Sequence, residues 1–299
     1  MDAHIGLVRA LVPATLALHV EIPGEHPSVA TLGEERMGSA VLVDGQGILL
    51  TVNYVVLGGR RISATFPDGR RYPAEIVAQD FENGIAVLSI HVRDQPAAAL
   101  GDSRRLSTGL EVFLLASTGS TDRRVSSGVI TDLGPFDAYW EYLLESAIQT
   151  SAVNPGFGGG PLFDVRGRVV GITSLNLGQV GRLSLAIPIH LFTEHRDDLL
   201  RFGRVRDRFR RAWIGFYPES GPSGIVVAGL VPQAPAVRSG IREGDVVLAV
   251  NSREVLTRQE LYREMWKVPA GEPLRLCIQR EGARTTIEVV SADRAEFYR

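Results

Sequence analysis

The chain has 299 residues, of which 44% are hydrophobic and 22% charged, with a formal net charge of −2. This balance is typical of globular proteins, and it gives no reason to expect nucleic acid or an anionic membrane as a partner. At roughly 150 residues per domain the length predicts about two domains. The 32 glycines and 16 prolines favour a turn-rich protein made mainly of β-strands.

The N-terminal stretch contains Asp2 and is interrupted by Pro13, so it lacks the basic start and long apolar centre of an export signal. Cys277 is the only cysteine, which excludes an intramolecular disulfide and is compatible with a reducing compartment. These features predict a cytoplasmic protein, or a periplasmic one if an export signal has been removed. No cluster of residues suggests a metal, and we expect no cofactor.

Short β-type runs separated by turn residues fill the first 190 residues. The predicted strands are Ala40–Val43, Ile48–Val52, Ile62–Phe66, Tyr72–Ala78, Ile85–Ile90, Glu111–Ala116, Val125–Leu133, Leu143–Gln149, Leu162–Asp164, Val169–Leu175 and Ser184–Pro188. Since no long helical pattern lies between them, the pattern predicts a β-barrel or sandwich, and two barrels given the length.

The pattern changes around Ile189–Phe209, where leucines spaced among charged residues predict a surface helix. Residues 201–211 follow with the strongly basic sequence RFGRVRDRFRR. We interpret this run as a solvated linker between a first domain, residues 1–200, and a second, residues 212–299. A nucleic-acid- or phosphate-binding arm is the alternative, and sparse aromatic residues disfavour it.

The second domain shows its own alternation of strands and helices. Its predicted strands are Trp213–Tyr217, Ile225–Leu230, Val246–Val250, Leu274–Gln279 and Thr285–Val290, and its predicted helices are Ala234–Ser239 and Thr257–Val268. Thr257 at the N-cap and Glu260 three residues later form the pattern of a capping box. The segment is therefore expected to be a compact unit with its own core.

Three segments resemble the motifs that carry the catalytic residues of the HtrA/DegP-like family, trypsin-fold serine proteases with a C-terminal PDZ domain. In chain order they are MGSAVLVDGQGILLTVNYVV, FPDGRRYPAEIVAQDFENGIAVLSI and IQTSAVNPGFGGGPLFDVRGRVVGITS. The resemblance implies a mainly β fold, in which a trypsin-like double β-barrel is followed by a PDZ domain, a β-sandwich with two helices.

The same resemblance places the family's catalytic histidine, aspartate and serine at Tyr54, Gly84 and Gly158. Peptide hydrolysis by this route needs an attacking hydroxyl, an imidazole and an orienting carboxylate, and these three residues supply none of them. We therefore expect a pseudoprotease, a homologue that is not an enzyme. The alternatives are an active endopeptidase with a rearranged catalytic site and a structural subunit that partners active relatives.

Other polar residues are not expected to replace the triad. None of the histidines lies in a segment that would bring it beside position 158; they are His4, His19, His26, His91, His190 and His195. Ser151 stands where the family usually has aspartate, and Ser126 and Ser127 match a structural motif of the family. We interpret Asp80 and Glu82 as solvated loop residues.

The glycine-rich loop Gly156, Phe157 and Gly158 resembles an oxyanion hole, whose backbone N–H groups can bind a carbonyl oxygen without any side chain. The alternative is that these glycines only satisfy tight-turn geometry. We also expect Tyr54 and Phe157 to fill part of the cleft.

Ile214, Gly215 and Phe216 resemble the carboxylate-binding loop of PDZ domains. With Trp213, and with Leu261 and Met265 from the predicted helix, they are expected to line a groove in which a peptide adds as a strand. These apolar residues could instead only close the domain's core. The expected partners are peptides or protein C-termini, and copies of the chain or active relatives in an oligomer.

Overall fold

A computed structural model describes residues 2–178, 181–221 and 224–299. The chain forms two compact units: the first comprises Met1–Gly134 and Glu145–Arg206, and the second comprises Pro135–Leu144 and Asp207–Arg299. The short segment Pro135–Leu144 therefore packs with the second unit, although it lies inside the first predicted domain. The predicted second domain, residues 212–299, did not include this segment.

The first unit begins with a closed, antiparallel six-stranded barrel in the order β1-β2-β3-β6-β5-β4. Its strands are β1 Thr15–Glu21, β2 Glu35–Leu42, β3 Ile48–Val52, β4 Arg61–Thr65, β5 Arg71–Asp80 and β6 Ile85–Ile90. The sequence did not predict β1, which closes the barrel by pairing with both β2 and β4. Leu16, Leu49 and Leu88 are fully buried in its interior.

A second closed barrel follows in the order β10-β11-β12-β9-β8-β7. Its strands are β7 Glu111–Ser117, β8 Arg123–Ala138, β9 Tyr142–Thr150, β10 Pro161–Asp164, β11 Val169–Asn176 and β12 Ser184–Pro188. Val112, Leu114, Ile148 and Leu162 belong to its buried core. The predicted double barrel is confirmed.

Helices in the first unit are short: α1 Asp2–Leu11, α2 Val29–Leu32, α3 Asn53–Val56, α4 His190–Thr193 and α5 Arg196–Phe202, with 3-10 turns at Val12–Ala14 and Ser103–Arg105. The single surface helix predicted around Ile189–Phe209 is two helices, and α5 ends at Gly203 in a left-handed conformation with φ +69°. Among the described residues, no helix is both long enough and apolar enough to span a bilayer.

The second unit contains a sheet in the order β13-β14-β15-β17-β18, with β16 paired to β15. Its strands are β13 Phe216–Gly221, β14 Gly224–Leu230, β15 Val246–Val250, β16 Arg253–Glu254, β17 Pro273–Arg280 and β18 Ala283–Val290, and its helices are α6 Pro235–Arg238, α7 Arg258–Met265 and α8 Arg294–Phe297. The capping box of Thr257 and Glu260 is confirmed. Strand β13 lies at the edge of this sheet.

Acidic side chains neutralise part of the basic run 201–211. Arg206 forms an ion pair with Asp198 at 3.2 Å. Arg210 forms two, with Asp293 at 2.9 Å and with Glu296 at 2.6 Å. Each pair lies within one unit, so Arg206 is held to the first unit and Arg210 to the second.

Candidate functional site

The fold brings Tyr54, Gly84 and Gly158 together in the first unit. Tyr54 lies in α3, directly after β3, while Gly84 precedes β6 and Gly158 lies between β9 and β10. The backbone N–H of Asn53 donates to the carbonyl of Gly84 at 2.8 Å. The sequence motifs therefore identified three positions that share one site, and their assignment as degenerate triad positions stays a prediction.

The phenol of Tyr54 occupies the space that a side chain at position 158 would need. Its hydroxyl donates to the carbonyl of Ser174 at 2.8 Å. A Cβ added to Gly158 would lie 2.1 Å from that hydroxyl and 2.9 Å from the Ser174 carbonyl. Tyr54 therefore fills the space beside position 158, whereas the filling of a cleft by Tyr54 and Phe157 together stays a prediction. Burial raises the pKa of Tyr54 to about 12, so its hydroxyl stays protonated near neutral pH.

The glycine-rich loop is already hydrogen-bonded internally. The N–H of Gly156 donates to Asn154 Oδ1 at 3.2 Å, and the N–H of Phe157 donates to the carbonyl of Ser117 at 2.9 Å. Gly159 has φ +96°, and a Cβ there would lie 2.1 Å from the carbonyl of Ser39. Turn geometry thus explains Gly159. A carbonyl ligand bound at Gly156 would have to displace the Asn154 side chain.

Neighbouring polar residues have structural partners. Asp80 is buried and accepts hydrogen bonds from the backbone N–H groups of Glu82 and Asn83, each at 3.2 Å. Its interpretation as a solvated loop residue is wrong, because its carboxylate caps the turn before β6. Ser151 Oγ accepts from the N–H of Val129 at 3.0 Å, which ties it to β8.

Two histidines form pairs with serines that the sequence analysis missed. His26 Nδ1 lies 2.7 Å from Ser28 Oγ, and His190 Nδ1 lies 2.7 Å from Ser103 Oγ. Buried Arg36 also donates to Ser28 Oγ, at 2.6 Å, so that hydroxyl is part of a packed network. Throughout residues 2–178, 181–221 and 224–299, no group of three or more His, Cys, Asp or Glu residues is arranged to hold a metal ion.

In the second unit, the loop 214–216 presents three successive backbone N–H groups to one carboxylate. The N–H groups of Ile214, Gly215 and Phe216 donate to the carboxylate of Glu141 at 3.2, 2.7 and 3.0 Å. The opposite side of the loop is fixed, because the carbonyls of Ile214 and Gly215 accept from the N–H groups of Ala236 and Val231.

Gly215 makes this conformation possible. It has φ +77°, and a Cβ there would lie 2.2 Å from the Cβ of Ala234. Glycine is thus required both by the left-handed backbone and by the close approach of the residue that precedes α6.

A buried apolar cluster, part of the core of the second unit, adjoins the loop. Ile214, Phe216, Leu261 and Met265 belong to one buried cluster, and Leu143 from the segment 135–144 packs into the same cluster. Trp213 lies in a separate cluster, where its ring packs 4.7 Å from that of Phe297. Four of the six residues expected to line the groove therefore share one buried cluster. Trp213 belongs to the other cluster, and its ring lies beside Gly215.

Comparisons with known proteins agree with both units. Residues 38–172 match the family described as trypsin-like peptidase domain, and residues 202–290 match the family described as PDZ domain. A Halomonas elongata protein named "Probable periplasmic serine endoprotease DegP-like" is 33% identical over 89% of this chain and 59% of its own length. A protein of the same name from Pseudomonas putida strain W619 is 31% identical over 85% and 55%.

A solved structure described as the HtrA-type protease AlgW with tripeptide is also similar. It shares 27% identity over 97% of this chain and 96% of its own, with a TM-score of 0.60. The chain spans little more than half of the length of the two curated relatives, 59% and 55%.

Two expectations are contradicted by these relatives. The expectation that the chain is not an enzyme is wrong, because the relatives are named serine endoproteases, which points to an enzyme. That expectation was drawn from three positions alone, Tyr54, Gly84 and Gly158. The expected cytoplasmic location is also wrong, because the relatives are named periplasmic proteins. It was drawn from the composition of the first residues and from the single cysteine, and neither establishes a protein's compartment.

Proposed function

Because the chain belongs to the HtrA-like family of trypsin-fold proteins with a C-terminal PDZ domain, we propose that it binds the carboxylate end of extended hydrophobic peptides through its PDZ loop. The observation that carries this proposal is the convergence of the Ile214, Gly215 and Phe216 N–H groups on one carboxylate. A carboxylate gains charge-assisted hydrogen bonds in such a nest. The similarity to the HtrA-type protease AlgW with tripeptide supports peptides as the ligand class.

Affinity and selectivity come from different parts of the site. Strand β13, Phe216–Gly221, is at the sheet edge, so a peptide can add beside it through backbone hydrogen bonds that do not depend on sequence. The buried cluster beside the loop, which contains Ile214, Phe216, Leu261 and Met265, is apolar. It should therefore favour Val, Leu, Ile or Phe as the last residue of the peptide.

The test compares a fluorescein-labelled peptide with a polar Gly/Ser body and the ending Ala-Leu-COO⁻ with the same peptide amidated at its C-terminus. Fluorescence anisotropy with the full chain should give a Kd of roughly micromolar for the free acid, about −8 kcal/mol. Amidation should weaken binding about 10-fold or more, since hydrogen bonds to charged groups contribute about 1.5–3 kcal/mol. Equal affinity for the two peptides would show that the loop does not recognise a terminal carboxylate.

A second candidate function, that of an endopeptidase with a rearranged catalytic site, is supported by the names of the relatives. In this chain the hydrolytic nucleophile would have to be a group other than Gly158, which has no side chain, and Tyr54, whose pKa burial raises to about 12. This candidate predicts that the purified chain degrades unfolded casein and that cleavage survives Tyr54→Phe. Intact casein on gels after long incubation would count against it, and loss of cleavage in Tyr54→Phe would assign the chemistry to Tyr54.

Assembly with further copies of the chain, or with other HtrA-type proteins, also stays a proposal. Sedimentation velocity of the chain alone, and of the chain mixed with such a protein, would distinguish these assemblies from a monomer.

A further inference from the structure

Glu141 holds the PDZ loop as the end of a bound peptide would. Its two carboxylate oxygens accept three hydrogen bonds from consecutive backbone N–H groups, at 2.7 to 3.2 Å. Only 3% of the residue is exposed. Glu141 is not part of the PDZ sequence, because it lies in the connection between β8 and β9 of the second barrel.

The residues around Glu141 complete the contacts of a ligand. Leu143 packs in the apolar cluster beside the loop. The Tyr262 hydroxyl of α7 donates to the carbonyl of Ala138 at 2.6 Å and accepts from the N–H of Glu141 at 3.2 Å. The segment therefore supplies a carboxylate to the loop and an aliphatic side chain to the apolar cluster beside it.

Side chains at the margin of the groove hold the same segment. Asp137 forms an ion pair with Arg258 at 2.6 Å and accepts from Gln259 at 3.0 Å. The ring of Tyr139 packs edge-on against Tyr217 of β13, with centroids 5.7 Å apart. Contacts at the loop, the helix and the edge strand therefore all involve residues 137–143.

We propose that residues 137–143 are an internal ligand that closes the PDZ groove, and that a peptide with a terminal carboxylate and an apolar last residue binds by displacing Glu141 and Leu143. This inference rests on the proposed function, since it names the competitor for the same site. The displaced segment includes residues 139–141, which connect β8 to β9.

The backbone conformation of Glu141 favours replacement of the internal ligand by a peptide. Glu141 has φ +54°, in the left-handed region that residues with a side chain seldom adopt. A free peptide can place its carboxylate in the loop without this conformation. Closure also lowers the apparent affinity for peptides, because only the open fraction of the protein can bind them.

The first measurement compares peptide affinity in the full chain and in three variants. Glu141→Ala removes the internal carboxylate, Glu141→Gln retains its shape without the charge, and Glu111→Gln makes the same charge change at an exposed residue of β7. With the fluorescein-labelled Ala-Leu-COO⁻ peptide, we expect at least about 10-fold tighter binding to Glu141→Ala, a smaller gain for Glu141→Gln, and no change for Glu111→Gln. Equal affinity of the unmodified chain and both Glu141 variants would overturn the internal-ligand proposal and leave the proposed function intact.

The second measurement separates the two proposals when no peptide binds. Without peptide, amide hydrogen exchange at residues 214–216 should be slow in the unmodified chain and in Glu111→Gln, and at least about 10-fold faster in Glu141→Ala. Faster exchange without peptide binding would support the internal ligand and contradict peptide recognition as the function. Unchanged exchange in Glu141→Ala and Glu141→Gln, both folded by circular dichroism, would overturn the internal ligand whatever the peptide does.

Discussion

The contact of Tyr54 with Gly158 allows a quantitative test of packing in the first unit. In Gly158→Ala the new Cβ would lie 2.1 Å from the Tyr54 hydroxyl and 2.9 Å from the Ser174 carbonyl. The phenol must retreat by about 1 Å or more to restore van der Waals contact, which breaks its 2.8 Å hydrogen bond to Ser174. Overpacking costs typically about 1–3 kcal/mol and a lost hydrogen bond about 1 kcal/mol. We expect the free energy of unfolding of the first unit to fall by about 2–4 kcal/mol.

A double-mutant cycle assigns this cost to the hydroxyl. Tyr54→Phe removes the atom that the new Cβ meets first, so Gly158→Ala should cost about 1–2 kcal/mol less in that background. Part of the cost remains, because the Ser174 carbonyl is close in both backgrounds. Gly178→Ala is a matched control, since a Cβ at Gly178 meets nothing within 4 Å.

The assay is urea unfolding followed by circular dichroism and by tryptophan fluorescence, with the transitions of the two units fitted separately. If Gly158→Ala costs the same in both backgrounds, within about 0.5 kcal/mol, the hydroxyl does not occupy the space beside position 158. That result would refute the packing of Tyr54 into the cleft.

Two further predictions concern the second unit. Burial raises the pKa of Glu141 to about 7, so its contribution to stability is fully present below the ordinary pKa of glutamate and is lost as the pH rises through about 7. Between about pH 5 and pH 8 the melting temperature of the unmodified chain should therefore fall relative to that of Glu141→Gln, and parallel curves would contradict this. Gly215→Ala should destabilise the second unit by at least about 2 kcal/mol, because its Cβ would lie 2.2 Å from Ala234. Gly282→Ala, also at positive φ but with nothing within 4 Å, should cost about 1 kcal/mol, and equal losses in urea melts would argue against the clash.

Local patterns in the sequence determined much of this protein. Short β-type runs with turn residues between them predicted the double barrel, because strand and turn signals are both local in the sequence. The capping box at Thr257 was predicted because its two partners, Thr257 and Glu260, lie within one helical turn. The resemblance of three segments to the motifs of the HtrA/DegP-like family also predicted that Tyr54, Gly84 and Gly158 are neighbours.

Tertiary structure alone decided the state of each site. Asp80 proved to be buried at the end of β5, and the N–H groups of Gly156 and Phe157 proved to be bonded to Asn154 and Ser117. Trp213 proved to belong to a different buried cluster from Ile214 and Phe216. The largest difference between the sequence-based expectations and the structure concerns Glu141. This residue lies 73 to 75 residues before the three residues whose N–H groups donate to it. A contact over that separation leaves no periodicity in the sequence. The local sequence around an acidic loop residue is the same whether its carboxylate is solvated by water or hydrogen-bonded to buried backbone N–H groups.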